Sequence, residues 1–295
     1  MLLKKNISIA YFLNLIKWDV LAIAIYASLV GALDNIAFFK EITIPLGVSA
    51  LTATLLSLLL AFRTSQSYER WWEARVIWGA IVNDSRTFIR QLIHFLPNDE
   101  KKADYVKDFA IRQSVWCYTL ADSLRKVPFS DKVINYFTDR GFESDNRPNF
   151  LLTQHVEQLS VVSHVYDLNI NAQVQLDGTI SRLTDHMGKC ERIKNTVFPR
   201  SYSVLIHFLI YVLMTMLPFG LDDNHPVVEA ILATIVPVLF IAIERTAILM
   251  QDPFENKPTD TPMTTLSATI ERNLMEMANT PVGAQPNAVE SYYMM

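Results

Sequence analysis

The chain has 295 residues, 51% of them hydrophobic and 19% charged, and a mean hydropathy of +0.19. This balance is more apolar than that of most soluble enzymes, yet it leaves a sizeable part that must contact water, so it predicts a membrane part joined to a soluble part. The net charge of -4 argues against a nucleic-acid partner, and Cys117 and Cys190, which form no CxxC, indicate neither a disulfide framework nor a cysteine metal site.

The N-terminal segment, residues 1–19, carries lysines but only short apolar patches and no small-residue cleavage site. We therefore interpret it as a mature cytosolic segment and not as a signal peptide. Two apolar stretches follow it: residues 20–39, with Asp34 as their only charge, and residues 43–62, with none. A helix of about 20 residues matches the thickness of the hydrocarbon core, so residues 20–62 are predicted to form transmembrane helices 1 and 2.

Residues 63–200 are more polar and predict a cytosolic helical domain. Apolar positions continue at helical spacing from 63 to 96, and no proline occurs before Pro97, so the second span is expected to continue as one helix beyond the membrane. Further helices are predicted from 98 to 126, over 130–140 and 150–166, and from about 168 to 195, with 141–149 as a loop. Strand alternation is not convincing anywhere, so the chain is expected to be all-α.

A second pair of apolar stretches, residues 201–221 and 226–243, predicts transmembrane helices 3 and 4 within residues 201–250. The alternative is a set of buried helices in a soluble core, but four such stretches in two close pairs are hard to bury otherwise. Residues 251–279 predict a turn-rich strap followed by a helix, and residues 280–295 predict an extended or disordered tail. The face of that last helix is predicted to carry Leu266, Ile270, Leu274 and Met277.

Basic residues predict the orientation of the four spans. Lysines precede the first span, arginines follow the second, and four basic residues between 189 and 200 precede the third. The loop after the third span contains Asp222 and Asp223 and no Lys or Arg. By the positive-inside rule, we expect a multi-pass protein of the cell membrane with both termini and residues 63–200 in the cytoplasm.

Several blocks of the sequence resemble the bestrophin family, in its bacterial branch. They are AFRTSQSYERWWEARVIWGAIVNDSRTFIRQL at 61–92, CERIKNT at 190–196, LPFGL at 217–221, DPF at 252–254 and IERNL at 270–274. The order of the blocks also fits, and the resemblance runs from about residue 4 to 278. It implies a homopentameric ion channel with one axial pore, lined in the membrane by the second span of each subunit, and a cytosolic vestibule. Eukaryotic members are calcium-activated anion channels, and bacterial members need not share that selectivity.

The resemblance places the pore neck at Thr54, Leu58 and Phe62. Their i, i+4, i+8 spacing puts all three on one face of a helix, so five copies would stack three rings along the axis. Family members tend to show larger apolar residues at all three levels, so Thr54 departs from the pattern and implies a wetter outer ring. Leu51 and Leu55 are the alternatives if the helix is rotated, and packing against other helices or lipid is the alternative to a pore.

An apolar neck gates ions but does not select their sign. An ion in such a ring loses hydration without gaining ligands, so the ring either dewets and blocks flow or widens to pass a hydrated ion. Selectivity must then come from charges elsewhere. Asp222 and Asp223 would favour cations if they face the outer mouth, although they also fit an ordinary solvated loop, and Asp34 fits an interfacial cap better than an ion ligand.

The resemblance also bears on a second constriction and on a calcium site. A second constriction is expected on segment 168–182, where Ile170, Leu176 and Ile180 remain equal candidates. Calcium needs several oxygen ligands, and the strap retains acids at Asp252 and Asp260, with Glu255 between them, diluted by Lys257 and two prolines. We therefore expect no calcium clasp of the eukaryotic kind, no other metal or cofactor, and turn or helix caps at Asp252 and Asp260.

The sequence supports an enzyme or a transporter less well than a channel. The six histidines show no HExxH spacing. Asp185, His186 and Cys190 fall close together on a predicted helix, but no oxyanion structure accompanies them. Transporters usually break paired spans near the midplane, and only Pro237 does so here. We therefore expect a passive channel and no enzyme. Its expected partners are further copies of itself in a homopentamer, the lipid bilayer and monovalent ions, and no nucleic acid. The aromatic-basic run at 70–78 is expected to pack subunits and form cation–π pairs.

Overall fold

The computed structural model describes residues 9–34, 43–196, 198–221 and 226–281, and within them all regular structure is helical. The helices are α1 Ile9–Asp34, α2 Leu46–Phe95, α3 Lys102–Arg125, α4 Asp131–Arg140, α5 Arg147–Val165, α6 Ile170–Asn195, α7 Arg200–Met216, α8 Pro226–Gln251 and α9 Met263–Met277, with a 3₁₀ turn at Pro218–Gly220. The prediction of an all-helical chain is confirmed for these residues.

The structure corrects several predicted helix ends. α1 begins at Ile9, inside the segment 1–19 that was expected to precede the first span, and residues 35–39 of that span lie outside the described residues. α5 begins at Arg147, inside the predicted loop 141–149, because Asn146 accepts a hydrogen bond from the amide of Asn149 and Pro148 suits a first helical turn. The predicted tail from 280 lies almost wholly outside the described residues.

The described residues divide into two compact units. The span unit contains those of Lys5–Arg70 and Val197–Gln251, and the core unit contains those of Trp71–Thr196 and Asp252–Met295. α2 therefore contributes to both. The prediction that one helix continues from the second apolar stretch to residue 95 is confirmed.

The core unit is a set of helices packed around one apolar core. α3 lies at its centre and contacts α4, α5, α6 and α9. The second half of α2 packs against the same apolar core, where Trp78, Phe88 and Trp116 are fully buried. Burial of large side chains on several helices is the main favourable term in folding such a unit.

The span unit combines α1, α7 and α8 with the first half of α2. α1 packs on α8 and α7, and α7 packs on α8. Within the described residues, α1, α2 and α8 are long and apolar enough to cross a membrane. α7 has 17 residues and ends at Met216, short of the predicted 201–221, whereas α8 runs eight residues beyond the predicted end at 243. A fourth span is reached only if α7 is counted together with the helix before it.

A close backbone approach ties the start of α2 to the turn after α7. The amide of Ile44 donates to the carbonyl of Phe219 at 3.0 Å. A Cβ at Gly220 would lie 2.9 Å from the carbonyl oxygen of Ile44, which is closer than such atoms come. The glycine of the LPFGL block is thus explained by contact and not by ligand binding.

Candidate functional site

One face of α2 is uncovered in the span unit, and it carries the predicted neck residues. The side chains of Leu58 and Phe62 are 66% and 55% exposed, and Thr54 is exposed as well. Leu56 and Leu60, on the opposite face, are buried against apolar residues of α7 and α8. The structure therefore places the three predicted residues together on the side of the helix that its own chain does not cover.

The rotated alternative lies on the same uncovered side. Leu51 and Leu55 are 72% and 48% exposed. The exposed face is wide enough to include both sets, because residues 51, 55, 58 and 62 fall within one broad stripe of a helix with 3.6 residues per turn. The choice of Thr54, Leu58 and Phe62 as the neck stays a prediction.

Contacts within the chain hold two of the three predicted neck residues. The Thr54 hydroxyl donates to the Ala50 carbonyl at 2.8 Å, so its polar atom is satisfied within the helix. The Phe62 ring contacts Tyr202 of α7 with centroids 6.0 Å apart, and the Tyr202 hydroxyl donates to the Leu59 carbonyl at 2.9 Å. Movement of α7 against α2 would therefore move Phe62.

A buried ion pair is formed by Arg63, the residue that follows Phe62, the last predicted neck residue. Arg63 Nη1 is 2.6 Å from Glu244 Oε1, and both side chains are almost fully buried. The second oxygen of Glu244 is 3.1 Å from His207 Nε2, and the Arg63 guanidinium stacks over Phe198 at 5.2 Å. A buried charge is tolerated only when paired, so this contact holds α2 to α8 at one register.

Sequence analysis missed this pair. Arg63 is the first residue of the more polar segment 63–200, yet its side chain is buried. The available signal was positional: Arg63 follows the second apolar stretch directly, and Glu244 follows the fourth directly. Opposite charges at the ends of two apolar helices are candidates for pairing.

The other predicted pore residues have mixed outcomes. Asp34 is buried in α1, and Asp222 and Asp223 lie outside the described residues. For the second constriction, Ile170 is 67% exposed at the start of α6, whereas Leu176 and Ile180 are buried in the core unit. Of these three candidates, Ile170 alone has a side chain that its own chain leaves uncovered.

The strap after α8 uses its acids as structural groups. Asp252 Oδ2 is 2.6 Å from Lys194 Nζ, and its Oδ1 accepts from the Phe254 amide at 3.2 Å. Asp260 is fully buried, and its Oδ2 accepts from the Lys257 amide at 2.9 Å. Both acids cap local turns, as predicted. Burial raises the pKa of Asp260 to about 6. Among the described residues, no three or more His, Cys, Asp or Glu side chains are grouped to hold a metal ion.

The residues considered for nucleophilic chemistry are also structural. Cys190 is fully buried in the core unit, and burial raises the pKa of its thiol, which disfavours the thiolate. His186 Nε2 is 2.9 Å from Asp84 Oδ2. A buried thiol with a raised pKa does not suit a nucleophile.

Residues of the aromatic-basic run, which were expected to pack subunits together, make several contacts within the core unit. Trp71 Nε1 donates to the Thr259 carbonyl at 2.7 Å, Arg75 stacks over Trp71 at 5.2 Å, and Trp78 is fully buried. The predicted cation–π pairing is confirmed at Arg75. Trp72, by contrast, has an exposed ring.

Comparison with known proteins decides the family. The sequence signature described as Bacterial/Fungal Bestrophin protein matches residues 10–276. The chain belongs to the bacterial and fungal bestrophin family. It is 30% identical over 236 residues to the voltage-dependent anion channel-forming protein RSc3414 of Ralstonia nicotianae, covering 79% of this chain and 77% of that one. It is 26% identical over 226 residues to the voltage-dependent anion channel-forming protein YneE of Escherichia coli, covering 75% and 73%.

A solved structure supports the same fold. The chain matches the crystal structure of a bacterial bestrophin homolog from Klebsiella pneumoniae with a TM-score of 0.82, at 22% identity, over 90% of this chain and 100% of that one. At this level of identity the likeness concerns the bestrophin fold. The resemblance stated from the sequence blocks is confirmed.

Proposed function

We propose that this bestrophin is a homopentameric channel that conducts monovalent ions passively, anions among them, and that α2 lines its axis. The observation that carries the proposal is the uncovered apolar face of α2 with Leu58 and Phe62. A helix that buries one apolar face and exposes another needs a further environment besides water, and a closed ring of copies supplies one. The relatives named as voltage-dependent anion channel-forming proteins support ion conduction and, specifically, anion permeation.

In this proposal Thr54, Leu58 and Phe62 form three stacked rings. The Thr54 ring is the wettest, and the Leu58 and Phe62 rings form a hydrophobic gate. Such rings block ions when they dewet and pass hydrated ions when they widen. The contacts that would couple widening to the rest of the subunit are those of Phe62 with Tyr202 and of Arg63 with Glu244.

We further propose a four-span topology in the cell membrane with both termini in the cytoplasm. Two hairpins, 20–62 and 201–250, would cross the bilayer, and residues 63–200 and 251–279 would form the cytosolic domain. Because α7 has only 17 residues, it would cross as a short span assisted by local thinning of the bilayer. The absence of substrate turnover is part of the same proposal.

Reconstitution in liposomes tests the function. Purified protein should have the mass of a pentamer with its detergent and should dissipate a salt gradient without a cosubstrate. Flux with a fixed stoichiometry to a second solute would indicate a secondary transporter instead, and turnover of a small molecule would indicate an enzyme. A monomer would refute the shared axis.

The neck is tested by truncation with a matched control. Leu58→Ala should raise single-channel conductance several-fold, because a smaller side chain widens and hydrates the ring. Leu239→Ala removes an equally exposed leucine from α8 and should leave conductance unchanged. Equal effects of the two variants would remove Leu58 from the gate.

A further inference from the structure

The uncovered face of α2 continues beyond Phe62 and becomes acidic. Glu69 follows Phe62 by seven residues, two turns of helix, so the two side chains share one face and lie about 10 Å apart along the axis. Glu69 is exposed and belongs to the same span unit as the neck residues. Ser65, one turn after Phe62, is exposed as well. The residues that would line the path after the apolar rings are thus a hydroxyl and then a carboxylate.

The charge of Glu69 is not cancelled by a basic side chain of the described chain. The nearby arginines are engaged elsewhere: Arg63 pairs with Glu244, and Arg70 Nε donates to the Gln251 carbonyl at 3.0 Å. Among the described residues, Glu69 makes no ion pair. Its Oε2 accepts from Gln66 Nε2 at 3.2 Å, and the Ser65 hydroxyl lies 3.5 Å from Oε1.

The donors that contact the Glu69 carboxylate are neutral. Hydrogen bonds from Gln66 and Ser65 hold the carboxylate against its own helix and leave the negative charge in place. The neighbouring acid Glu73 differs, because Arg192 Nη2 lies 2.6 Å from its Oε1 and offsets its charge. The uncovered face therefore presents Glu69 as an oriented carboxylate that only neutral donors of the described residues contact.

We propose that Glu69 determines ion selectivity in the channel: five copies form a ring of negative charge at the cytosolic end of the neck, which attracts cations and opposes anions. This inference rests on the proposed pentameric channel. The apolar rings of Leu58 and Phe62 do not distinguish the sign of an ion, whereas a ring of like charges in a narrow passage does. Glu69 thus shifts the permeability of the pathway toward cations.

Reversal potentials in asymmetric KCl test the ring. Glu69→Gln should raise the chloride-to-potassium permeability ratio by about fivefold or more in about 0.1 M salt, because local counter-ion enrichment by such charges reaches tenfold and above. Glu69→Lys should raise the ratio further, and Glu69→Asp should keep it near that of the wild type. Because the screening length falls from about 10 Å at 0.1 M to about 3 Å at 1 M, wild type and Glu69→Gln should converge in 1 M salt.

A matched control exists on another helix. Glu157 of α5 is also exposed and also accepts from a glutamine three residues earlier, Gln154 Nε2, at 2.6 Å. Glu157→Gln should leave the permeability ratio unchanged. An equal shift in this variant, or no shift in Glu69→Gln while the wild type conducts, would overturn the selectivity ring. A wild-type protein that passes no ions would instead overturn the channel, and the ring with it.

Discussion

The two halves of α2 show how one helix meets two environments. Between residues 46 and 70 it exposes Leu58 and Phe62, whereas between 71 and 95 it buries Trp78 and Phe88 completely. Both halves are regular helix with apolar residues at helical spacing. Periodicity therefore tells which side chains share a face, but the medium that the face meets is a separate property. The first half leaves an apolar face that its own chain does not cover, and the second half is buried in the core of its own unit.

The ion pairs of the two units also differ in burial. In the span unit the pair Arg63–Glu244 is buried, and in the core unit the pair Arg192–Glu73 is largely exposed. Water can replace a lost partner for an exposed ion but not for a buried one. Variants of matched residues in the two units can therefore separate folding effects from effects on conduction.

The largest expected contrast is between two phenylalanines of the same helix. Phe88→Ala should lower the stability of the folded protein by about 3–5 kcal/mol, because it removes a fully buried ring and leaves a cavity. Phe62→Ala should cost much less stability, since its ring is half exposed, but should raise conductance several-fold. Thermal unfolding in detergent and single-channel recording measure the two effects. A Phe62→Ala protein as unstable as Phe88→Ala would place Phe62 in a packed core and contradict the pore face.

The next effect concerns the two ion pairs. Glu244→Gln should destabilise the protein by about 3 kcal/mol, because the Arg63 charge then stays buried without its counter-charge. Glu73→Gln should change stability by less than about 1 kcal/mol, because Arg192 remains hydrated. Unfolding midpoints of the two variants, measured in the same detergent, provide the comparison. If the double variant Arg63→Met/Glu244→Met is no more stable than Glu244→Gln, the unpaired charge is not the cause.

A smaller effect is expected from a buried histidine in the core unit. His155 lies between Phe88 and Phe109, is fully buried, and neither of its ring nitrogens has a partner among the described residues. Burial, and secondarily the charge of Arg112, lowers the pKa of His155 well below its usual value of 6.5. The unfolded chain therefore takes up a proton that the folded chain does not, and stability falls as the pH drops through 6.5 and below.

The variant His155→Phe removes the proton uptake that accompanies unfolding at this position. It should be as stable as the wild type or more so at pH 8, and its advantage should grow between pH 6.5 and 5.5. Unfolding midpoints recorded over that pH range measure the difference. A variant with the same pH profile as the wild type would show that His155 is protonated in the folded protein.

A pH effect of the opposite sign is expected at Asp260. Its pKa of about 6 in the folded protein exceeds the ordinary value of 3.8, so the folded chain binds the proton more tightly. The cost of the buried charge is present above pH 6 and is relieved as the pH falls toward 4. Asp260→Asn should gain stability at pH 7.5 and lose the advantage near pH 4.5. A loss at pH 7.5 would mean that the charged carboxylate has a cationic partner.

Much of the helical framework could be predicted from the sequence. The continuation of α2 to residue 95, the bounds of α4 and the helix after the strap all followed from apolar spacing and from the position of prolines. The predicted start of α5 was wrong because the predicted loop included Pro148, although a proline is suited to a first helical turn. The predicted end of α7 was wrong because apolar composition continues through the 3₁₀ turn at Pro218–Gly220.

The sequence by itself determined the helical periods, the lengths of the apolar stretches and the family, because these depend on residues close together in the chain. Only the tertiary structure decided that the uncovered side of α2 carries Leu58 and Phe62, that Leu176 and Ile180 are core residues, and that Arg63 pairs with Glu244, 181 residues away. The physical reason is the separation along the chain of the residues that interact. Helix formation is a local balance of backbone hydrogen bonds and side-chain entropy, whereas burial and charge pairing depend on which distant segments pack against each face.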